Sequence, residues 1–357
     1  KWTLLARHEP DAAARAAVVL FGAHSFVVHR LTGGVAACDP TTAATTGFYD
    51  LAAGAWWGPI AAATGCPLPA LARVTDPAGP LTADVADEFG LPAGIPVVHG
   101  PGDAMATTVG LIGADCDRPY AYLGTSGWVA VGTPRPRPAP GVVVLPGIDP
   151  SHWVSALPMP TAGAALDWAR DALLGGVTPS ELDALATDAC AATEGVIFLP
   201  HLDGARLPRP APAATGVLVG MRRSTTREVI AAAVIEGLAH AVRQLVELAA
   251  PDAPALAVCG GVARSAVVRQ VLADVTGREV QLLADEHAAL LGAAHGASGL
   301  VGHSPRPLET RAVAAPRPER HRGHAEIADA FDDLLPSMAS FLTGLVEIRD
   351  RADRATR

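Results

Sequence analysis

Three glycine-bearing segments could bring backbone groups close to a phosphate. Gly100-Pro101-Gly102 precedes Asp103, Gly124-Thr125-Ser126-Gly127 lies between two apolar runs, and Gly260-Gly261 follows the apolar run 256–259. Glycine lets the backbone approach a ligand closely, and successive N–H groups in a turn can bind phosphate oxygens. The sequence has no G-x-x-x-x-G-K-[ST] motif. Turns of this kind would therefore have to hold any phosphate, and one carboxylate near an acceptor hydroxyl would suffice for phosphoryl transfer.

Asp103 is the carboxylate associated with the first of these turns. An apolar run at 95–99 predicts a strand, and a helical pattern begins at Asp103 and continues to residue 111. A carboxylate at such a turn can act on a ligand that the glycines admit. The alternative is a structural role, because Asp caps helix starts by accepting backbone N–H bonds.

The other two turns have structural alternatives as well. Gly124, Thr125 and Ser126 offer N–H groups and hydroxyls, but a polar tetrapeptide at a hairpin tip is also an ordinary turn. Gly260 and Gly261 could face a nucleotide across the start of a helix, or could serve only tight packing between a strand and a helix.

The elements around these turns predict an α/β fold. Strands are predicted at 120–132 (as a hairpin), 142–145, 196–199, 256–259 and 279–283, and helices at 227–250, 265–275 and 287–297. Strands that alternate with helices are typical of α/β domains. The Pro- and Arg-rich stretch 304–322 is predicted as a linker or surface crossing, and 324–354 as a helical tail that breaks at Pro336.

Composition narrows the possible partners. The net charge is −9 and no basic stripe is present, which argues against a nucleic-acid partner. No uninterrupted run of about 18 apolar residues occurs, so a soluble, cytoplasmic protein with no membrane partner is expected. Five scattered cysteines without a C-x-x-C pair indicate reduced thiols, and the histidines, His24 and His99 among them, are interpreted as ordinary polar residues without a metal site.

Four segments in this order resemble the FGGY carbohydrate kinases, the family of xylulokinase, gluconokinase and glycerol kinase. They are Gly100-Pro101-Gly102-Asp103-Ala104, Leu123-Gly124-Thr125-Ser126-Gly127, the run 198–206 and Cys259-Gly260-Gly261-Val262-Ala263-Arg264-Ser265. Weaker similarities lie at Arg30-Leu31-Thr32-Gly33 with Asp39 after it, at 165–168, and at Glu286. The set spans residues 1 to about 300, and its order makes the resemblance fairly specific.

The resemblance implies two actin-like (ribonuclease H-like) domains that face each other across a cleft. Residues 1–112 would be the remainder of the sugar-binding domain, 113–303 the nucleotide-binding domain, and 304–357 a linker and helical tail. It also implies that the first domain is incomplete, since the family opens with an Asp-x-Gly-Thr phosphate-binding hairpin and the similarity begins at Lys1, downstream of it.

The same resemblance implies site roles. Asp103 matches the catalytic base, and the substrate contacts are expected at Asp39, Gly102, Asp103 and Ala104. The nucleotide contacts are expected at Gly124, Thr125, Ser126, Gly260, Gly261 and Ser265. Asp39 equally suits a turn or a cap.

The expected activity is phosphorylation of a sugar by ATP with Mg²⁺, which ATP and water would chiefly hold. D-xylulose is the first substrate to consider, but Ala104 stands where xylulokinases often have Asn, so gluconate, ribulose and glycerol remain open. One alternative is a non-catalytic actin-like binding protein. Two features motivate it: Ala205 replaces the usual Glu, and the Asp-x-Gly-Thr hairpin is absent. A Rossmann dehydrogenase is discounted for lack of G-x-G-x-x-G. A homodimer is one expected assembly.

Overall fold

The computed structural model describes residues 1–113, 118–189, 191–284, 287–300 and 309–355. The similarity at Glu286, the cysteines at 116 and 190, and the predicted boundary at 303 lie outside these ranges. In the described ranges Cys38, Cys66 and Cys259 are buried thiols.

The N-terminal part consists of short helices joined by two-stranded sheets. Its helices are α1 (Trp2–His8), α2 (Pro10–Arg15), α3 (Ala23–Leu31), α4 (Pro40–Ala43), α5 (Gly58–Thr64), α6 (Ala83–Phe89) and α7 (Asp103–Ile112). Its strands are β1 (Ala37–Cys38), β2 (Tyr49–Asp50), β3 (Ala55–Trp56), β4 (Ala70–Leu71), β5 (Pro77–Pro80) and β6 (Pro96–Val98). Strand β1 pairs parallel with β4, whereas β2 with β3 and β5 with β6 pair antiparallel.

The C-terminal part is built on a mixed sheet. Its strands are β7 (Tyr120–Leu123), β8 (Gly127–Thr133), β9 (Val143–Pro146), β10 (Trp153–Met159), β11 (Ile197–Leu199), β12 (Val217–Val219), β13 (Ala255–Cys259), β14 (Glu279–Leu283) and β15 (Thr310–Ala314). Its helices are α8 (Gly163–Ala172), α9 (Pro179–Ala186), α10 (Ala191–Glu194), α11 (Arg227–Ala249), α12 (Ala266–Thr276), α13 (Ala288–Leu300) and α14 (Pro318–Ala355), with a 3₁₀ turn at Val262–Arg264. Within the described ranges the large sheet has the order β15-β14-β13-β7-β8-β10-β9.

Helix α11 forms the centre of the C-terminal core. Its Thr226 cap accepts a hydrogen bond from the Val229 backbone, and most of its side chains are buried. By length and composition alone α11 could cross a membrane, but its most apolar stretch lies largely inside the domain. Burial on all sides explains its apolar character, as expected of a core helix.

Helices α7 and α13 join the two parts through direct backbone contact. A Cβ at Gly292 would lie 1.7 Å from the Ala106 carbonyl oxygen, and a Cβ at Gly110 would lie 1.8 Å from the Ala288 carbonyl oxygen. Real Cβ atoms do not approach so closely, so both positions require glycine. The helix that begins at Asp103 is thus fixed against the C-terminal part.

Two predictions about the C-terminal segment are wrong. Strand β15 lies within the stretch predicted as a linker, and it pairs antiparallel with β14 at the edge of the large sheet. Helix α14 continues through Pro336 instead of breaking there. Phe331 before the proline and Leu342 after it are both buried, so tertiary packing holds the helix on either side of the missing hydrogen bond.

Two buried histidines lie where α14 packs on α11. The rings of His240 and His324 are 5.7 Å apart, and Arg243 Nε donates to His240 Nδ1 at 3.4 Å. Among the described residues, His240 Nε2 and His324 Nδ1 have no hydrogen-bond partner. Burial, with a smaller contribution from Arg243 and His324, lowers the pKa of His240 to about 3. Both rings are therefore neutral at pH 7, since burial also lowers the pKa of His324 to about 4.

This pair predicts a loss of stability on mild acidification. A pKa below the unfolded value of about 6.5 contributes stability that is present above pH 6.5 and is lost as the pH falls below it. We expect His240→Phe to reduce the fall in the free energy of unfolding between pH 7 and pH 5 by about 2 kcal/mol. Urea unfolding at both pH values measures this, with the exposed His8→Phe as control; equal pH dependence in His240→Phe and the wild type would contradict it.

Candidate active site

Asp103 lies at the first residue of α7 and is exposed. Gly102 occupies the N-cap position, and Asp103 Oδ1 accepts a hydrogen bond from the Ala104 backbone at 2.9 Å. A Cβ at Gly102 would lie 2.7 Å from Thr42 Oγ1, so this glycine allows α4 to pack on the turn. Gly102 at the N-cap has no side chain to cap the helix, and the Asp103 carboxylate, which accepts one backbone N–H of the first turn, stays exposed beside the positive end of the helix dipole.

A cleft of about 1380 Å³ opens in front of Asp103. Among the polar residues that line it are His24 of α3, Thr41 and Thr42 of α4, and Asp103 of α7. Gly102 and Ala104 also line it, and Ala104 offers only a methyl group. The sequence-predicted residues Gly102, Asp103 and Ala104 therefore share one cleft.

Asp39 is buried behind this cleft rather than in it. It is the N-cap of α4: Oδ1 accepts from Thr41 Oγ1 and from the Thr42 backbone at 2.9 Å. Its Oδ2 lies 2.8 Å from His24 Nε2. Burial alone would raise the pKa of Asp39, but the hydrogen bonds from His24, Thr41 and Thr42 outweigh it and lower the pKa to about 2. Of the two roles considered for Asp39, the structure shows the cap.

His24, interpreted from the sequence as an ordinary polar residue, lies at the cleft. Asp39 orients its ring, Thr42 Oγ1 lies 3.4 Å from its Nε2, and the side chain is a quarter exposed at the cleft. His24, Asp39 and His99 have possible metal-ligand atoms within 4.8 Å of one another. However, both ring nitrogens of His99 face backbone carbonyls, Nε2 at 3.2 Å and Nδ1 at 3.1 Å. That arrangement leaves His99 poorly placed to bind a metal ion.

The hairpin tip between β7 and β8 is closed by a bond from the Gly124 backbone N–H to the Ser126 carbonyl (3.0 Å). The start of α8 supports it: the Gly163 N–H donates to the Gly124 carbonyl at 2.8 Å, and the Ala162 and Ala164 N–H groups donate to the Thr125 carbonyl. The carbonyls of the tip are thus held against α8, while the side chains of Thr125 and Ser126 are exposed.

Gly260 and Gly261 differ in what surrounds them. Gly260 has φ +94°, and a Cβ there would lie 2.5 Å from the Leu123 carbonyl oxygen, so its role is close packing against the end of β7. A Cβ at Gly261 would meet no atom within 4 Å. Because Leu123 directly precedes Gly124, the two glycine turns are adjacent. Gly261 therefore faces open space next to the hairpin tip.

Ser265 is engaged in the fold. Its Oγ accepts from the Val268 backbone at 3.0 Å as the N-cap of α12 and donates to Asp183 Oδ1 at 2.8 Å. Its hydroxyl proton is therefore already donated within the protein, in contrast to the exposed Thr125 and Ser126.

Comparison with known families shows which family the chain belongs to. The N-terminal domain of the FGGY family of carbohydrate kinases matches residues 1–110, and the C-terminal domain of that family matches residues 120–298. The chain is an FGGY carbohydrate kinase. The two-domain actin-like fold expected from the sequence is confirmed. The expected activity of the chain, ATP-dependent phosphorylation of a sugar, is also confirmed, and the non-catalytic alternative is not favoured.

Individual relatives agree with this assignment. The kinase is 31% identical to a xylulose kinase of Streptomyces rubiginosus, over 99% of this chain and 71% of the relative. It is also 31% identical to a glycerol kinase of Rhodospirillum rubrum, over 79% of this chain and 58% of the relative. The crystal structure of a xylulose kinase from Rhodospirillum rubrum superposes with a TM-score of 0.85 at 26% identity, over 96% of this chain and 71% of that one.

The buried Asp39 carboxylate predicts that the stability of the kinase falls in acid. Its pKa lies below the unfolded value, so its contribution to stability is present above pH 4 and is lost as the pH falls toward 2. We expect Asp39→Asn to lower the free energy of unfolding at pH 7 by about 2 kcal/mol and to flatten its pH dependence below pH 4. Urea unfolding from pH 7 to pH 2.5 measures both effects. Asp11→Asn, in the exposed first turn of α2, is the control; equal losses in the two variants would contradict the prediction.

Proposed function

We propose that the kinase phosphorylates a ketose of the D-xylulose type with Asp103 as the general base. The observation that carries this proposal is the position of Asp103, exposed in a cleft at the start of α7 and close to polar groups of α3 and α4. A positioned carboxylate can accept the proton of an acceptor hydroxyl as phosphoryl transfer proceeds. The match to xylulose kinases names the first substrate to test, and the equal identity to a glycerol kinase names the second.

The sugar side of the proposed site rests on His24 and Thr42 instead of Asp39. Asp39 holds both residues from behind, so the ring of His24 and the hydroxyl of Thr42 can meet sugar hydroxyls at the cleft surface. Ala104 cannot hydrogen-bond through its side chain. A polyol that loses water on binding needs such partners, because an unpaired buried hydroxyl costs free energy.

The phosphate side rests on the hairpin tip and on Gly261. The exposed hydroxyls of Thr125 and Ser126, with the open backbone at Gly261, would contact the phosphates of ATP. Mg²⁺ would be held mainly by those phosphates and by water, and the hydroxyls and the Asp103 carboxylate are hard oxygen groups that suit this ion. Mg²⁺ would neutralise part of the negative charge of the phosphates.

The proposed reaction conserves atoms and charge in a simple way. The acceptor hydroxyl oxygen bonds to the γ-phosphorus, the bond from that phosphorus to the bridging oxygen of ADP breaks, and Asp103 takes the hydroxyl proton. The protein contributes alignment and one proton acceptor, which is most of what this reaction requires.

We further propose that residues 1–112 carry the sugar and that the nucleotide domain continues from about residue 113 through β15 and α14, because both pack on its sheet and helices. We also propose that the enzyme is cytoplasmic, because ATP is available there. A homodimer stays a prediction that light scattering would test.

The substrate is tested by measuring sugar-dependent ADP release with D-xylulose, D-ribulose, gluconate and glycerol. Preference for gluconate or glycerol would overturn the ketose assignment, and preference for D-ribulose would overturn only the choice of D-xylulose; either result leaves the kinase family intact.

Asp103→Asn should abolish most turnover and leave sugar binding nearly unchanged. The amide keeps the size of the side chain but accepts no proton, so we expect kcat to fall about 10²–10⁴-fold. Coupled ADP-release kinetics and sugar calorimetry measure the two effects. Asp84→Asn is the matched control, since Asp84 is also an exposed Asp in the first turn of a helix. Near wild-type turnover in Asp103→Asn would remove its role as base.

Gly261→Val should weaken ATP binding and spare the sugar. Its Cβ meets no atom of the protein, so the fold should tolerate valine while the branched side chain fills the space proposed for nucleotide. We expect the KM for ATP to rise about tenfold or more, equivalent to about 1.4 kcal/mol. Gly58→Val is the control, because a Cβ at Gly58 is also free of contacts. Unchanged ATP affinity by calorimetry would place the nucleotide elsewhere.

A further inference from the structure

A chain of side-chain hydrogen bonds joins the hairpin to the helix that begins at Asp103. Trp128 Nε1 donates to the Tyr120 hydroxyl at 3.0 Å, and that hydroxyl lies 2.7 Å from Thr108 Oγ1. Thr108 Oγ1 in turn lies 2.8 Å from the Ala104 carbonyl. We call Trp128, Tyr120 and Thr108 the hydroxyl relay. It leads from β8 through β7 and α7 to the residue next to Asp103.

The donors and acceptors of the relay have one consistent direction. The indole of Trp128 can only donate, and a carbonyl such as that of Ala104 can only accept. Thr108 therefore gives its single hydroxyl proton to Ala104, and Tyr120 gives its proton to Thr108 while it accepts from Trp128. Hydrogen bonds arranged head to tail polarise one another, which strengthens each of them.

Burial makes the relay expensive to break. Tyr120 is 1% exposed and Thr108 is 3% exposed. A buried group left without its partner loses free energy, because water cannot replace the bond. The relay therefore holds β8, β7 and α7 in fixed positions relative to one another, because its buried groups have no water with which to replace these bonds.

The relay touches both halves of the proposed site. Thr108 and Ala104 are on α7, so the last bond of the relay fixes the first turn of the helix that bears Asp103. At the other end Trp128 stacks on Tyr122 with ring centroids 4.3 Å apart, and a Cβ at Gly124 would lie 2.8 Å from the Tyr122 ring. The aromatic stack therefore abuts the phosphate turn.

We propose that Tyr120 is a positioning residue that sets the distance between the Asp103 carboxylate and the phosphate turn. This inference rests on the proposed function, because it needs the base at Asp103 and the phosphates at the hairpin tip. Phosphoryl transfer depends steeply on alignment: a misplacement of about 1 Å can cost about 10²-fold in rate. The relay supplies a link of defined length across the two parts that must be aligned.

A double-mutant cycle tests the proposal with Thr108→Val, Trp128→Phe and the double variant. Loss of either terminal hydrogen bond of the relay should disturb the same alignment of Asp103 with the phosphate turn. Each single variant should therefore lower kcat about tenfold, while KM for sugar and for ATP changes less than about twofold. The double variant should be no slower than the slower single variant. Thr108→Ser keeps the hydroxyl and should retain near wild-type kcat, which a role in packing alone would not explain.

Tyr120→Phe is the second test, since it removes the central hydroxyl and keeps the ring. It should reproduce the kcat of the double variant, with assays run well below each variant's unfolding midpoint. Multiplicative losses in the cycle, or wild-type kcat in Tyr120→Phe, would overturn the positioning role. Asp103→Asn measured in parallel separates the two ideas. If it stays active, the base assignment fails; if it is inactive and the cycle is multiplicative, only the relay fails.

Discussion

The close packing of α7 between the two parts of the molecule is the constraint on which the site depends. At Gly110 and Gly292 the backbones of α7 and α13 touch, and no side chain can be accommodated at either position. Packed interfaces of this kind do not deform gradually, because every displaced atom loses contacts or collides. The buried body of α7 is therefore rigidly placed, and its first turn carries Asp103 into the cleft.

A buried carboxylate organises the part of the cleft wall that α3 and α4 form. Asp39 satisfies its oxygens with a backbone N–H, a threonine hydroxyl and the His24 ring. A charge removed from water is tolerated only when it is paired and hydrogen-bonded, so these three partners are fixed together with it. The polar groups offered to a sugar are thus not the carboxylate itself but the residues that it holds in place.

Glycine performs two different tasks on the phosphate side. Gly260 and Gly163 have no side chain because other backbone groups lie against them, whereas Gly261 borders open space. The start of α8 is occupied by the carbonyls of Gly124 and Thr125, which fixes the hairpin tip before any ligand arrives. A turn held in this way can present N–H groups and hydroxyls to phosphate without reorganising, which favours the transition state of phosphoryl transfer.

Local sequence signals determined the three glycine turns and the elements that flank them. The strand, hairpin and helix patterns around Asp103, Gly124 and Gly260 are confirmed within a residue or two, because apolar periodicity and turn residues act over a few neighbours. Tertiary structure decided features that residues adjacent in sequence cannot encode. Strand β15 pairs with β14 despite its linker-like composition. Helix α14 continues past Pro336 because residues on both sides of the proline are buried. It also decided that Asp39 lies behind the cleft and His24 in it, and that Thr108 meets Tyr120. The physical reason is that burial and side-chain partners depend on which segments the whole chain brings together.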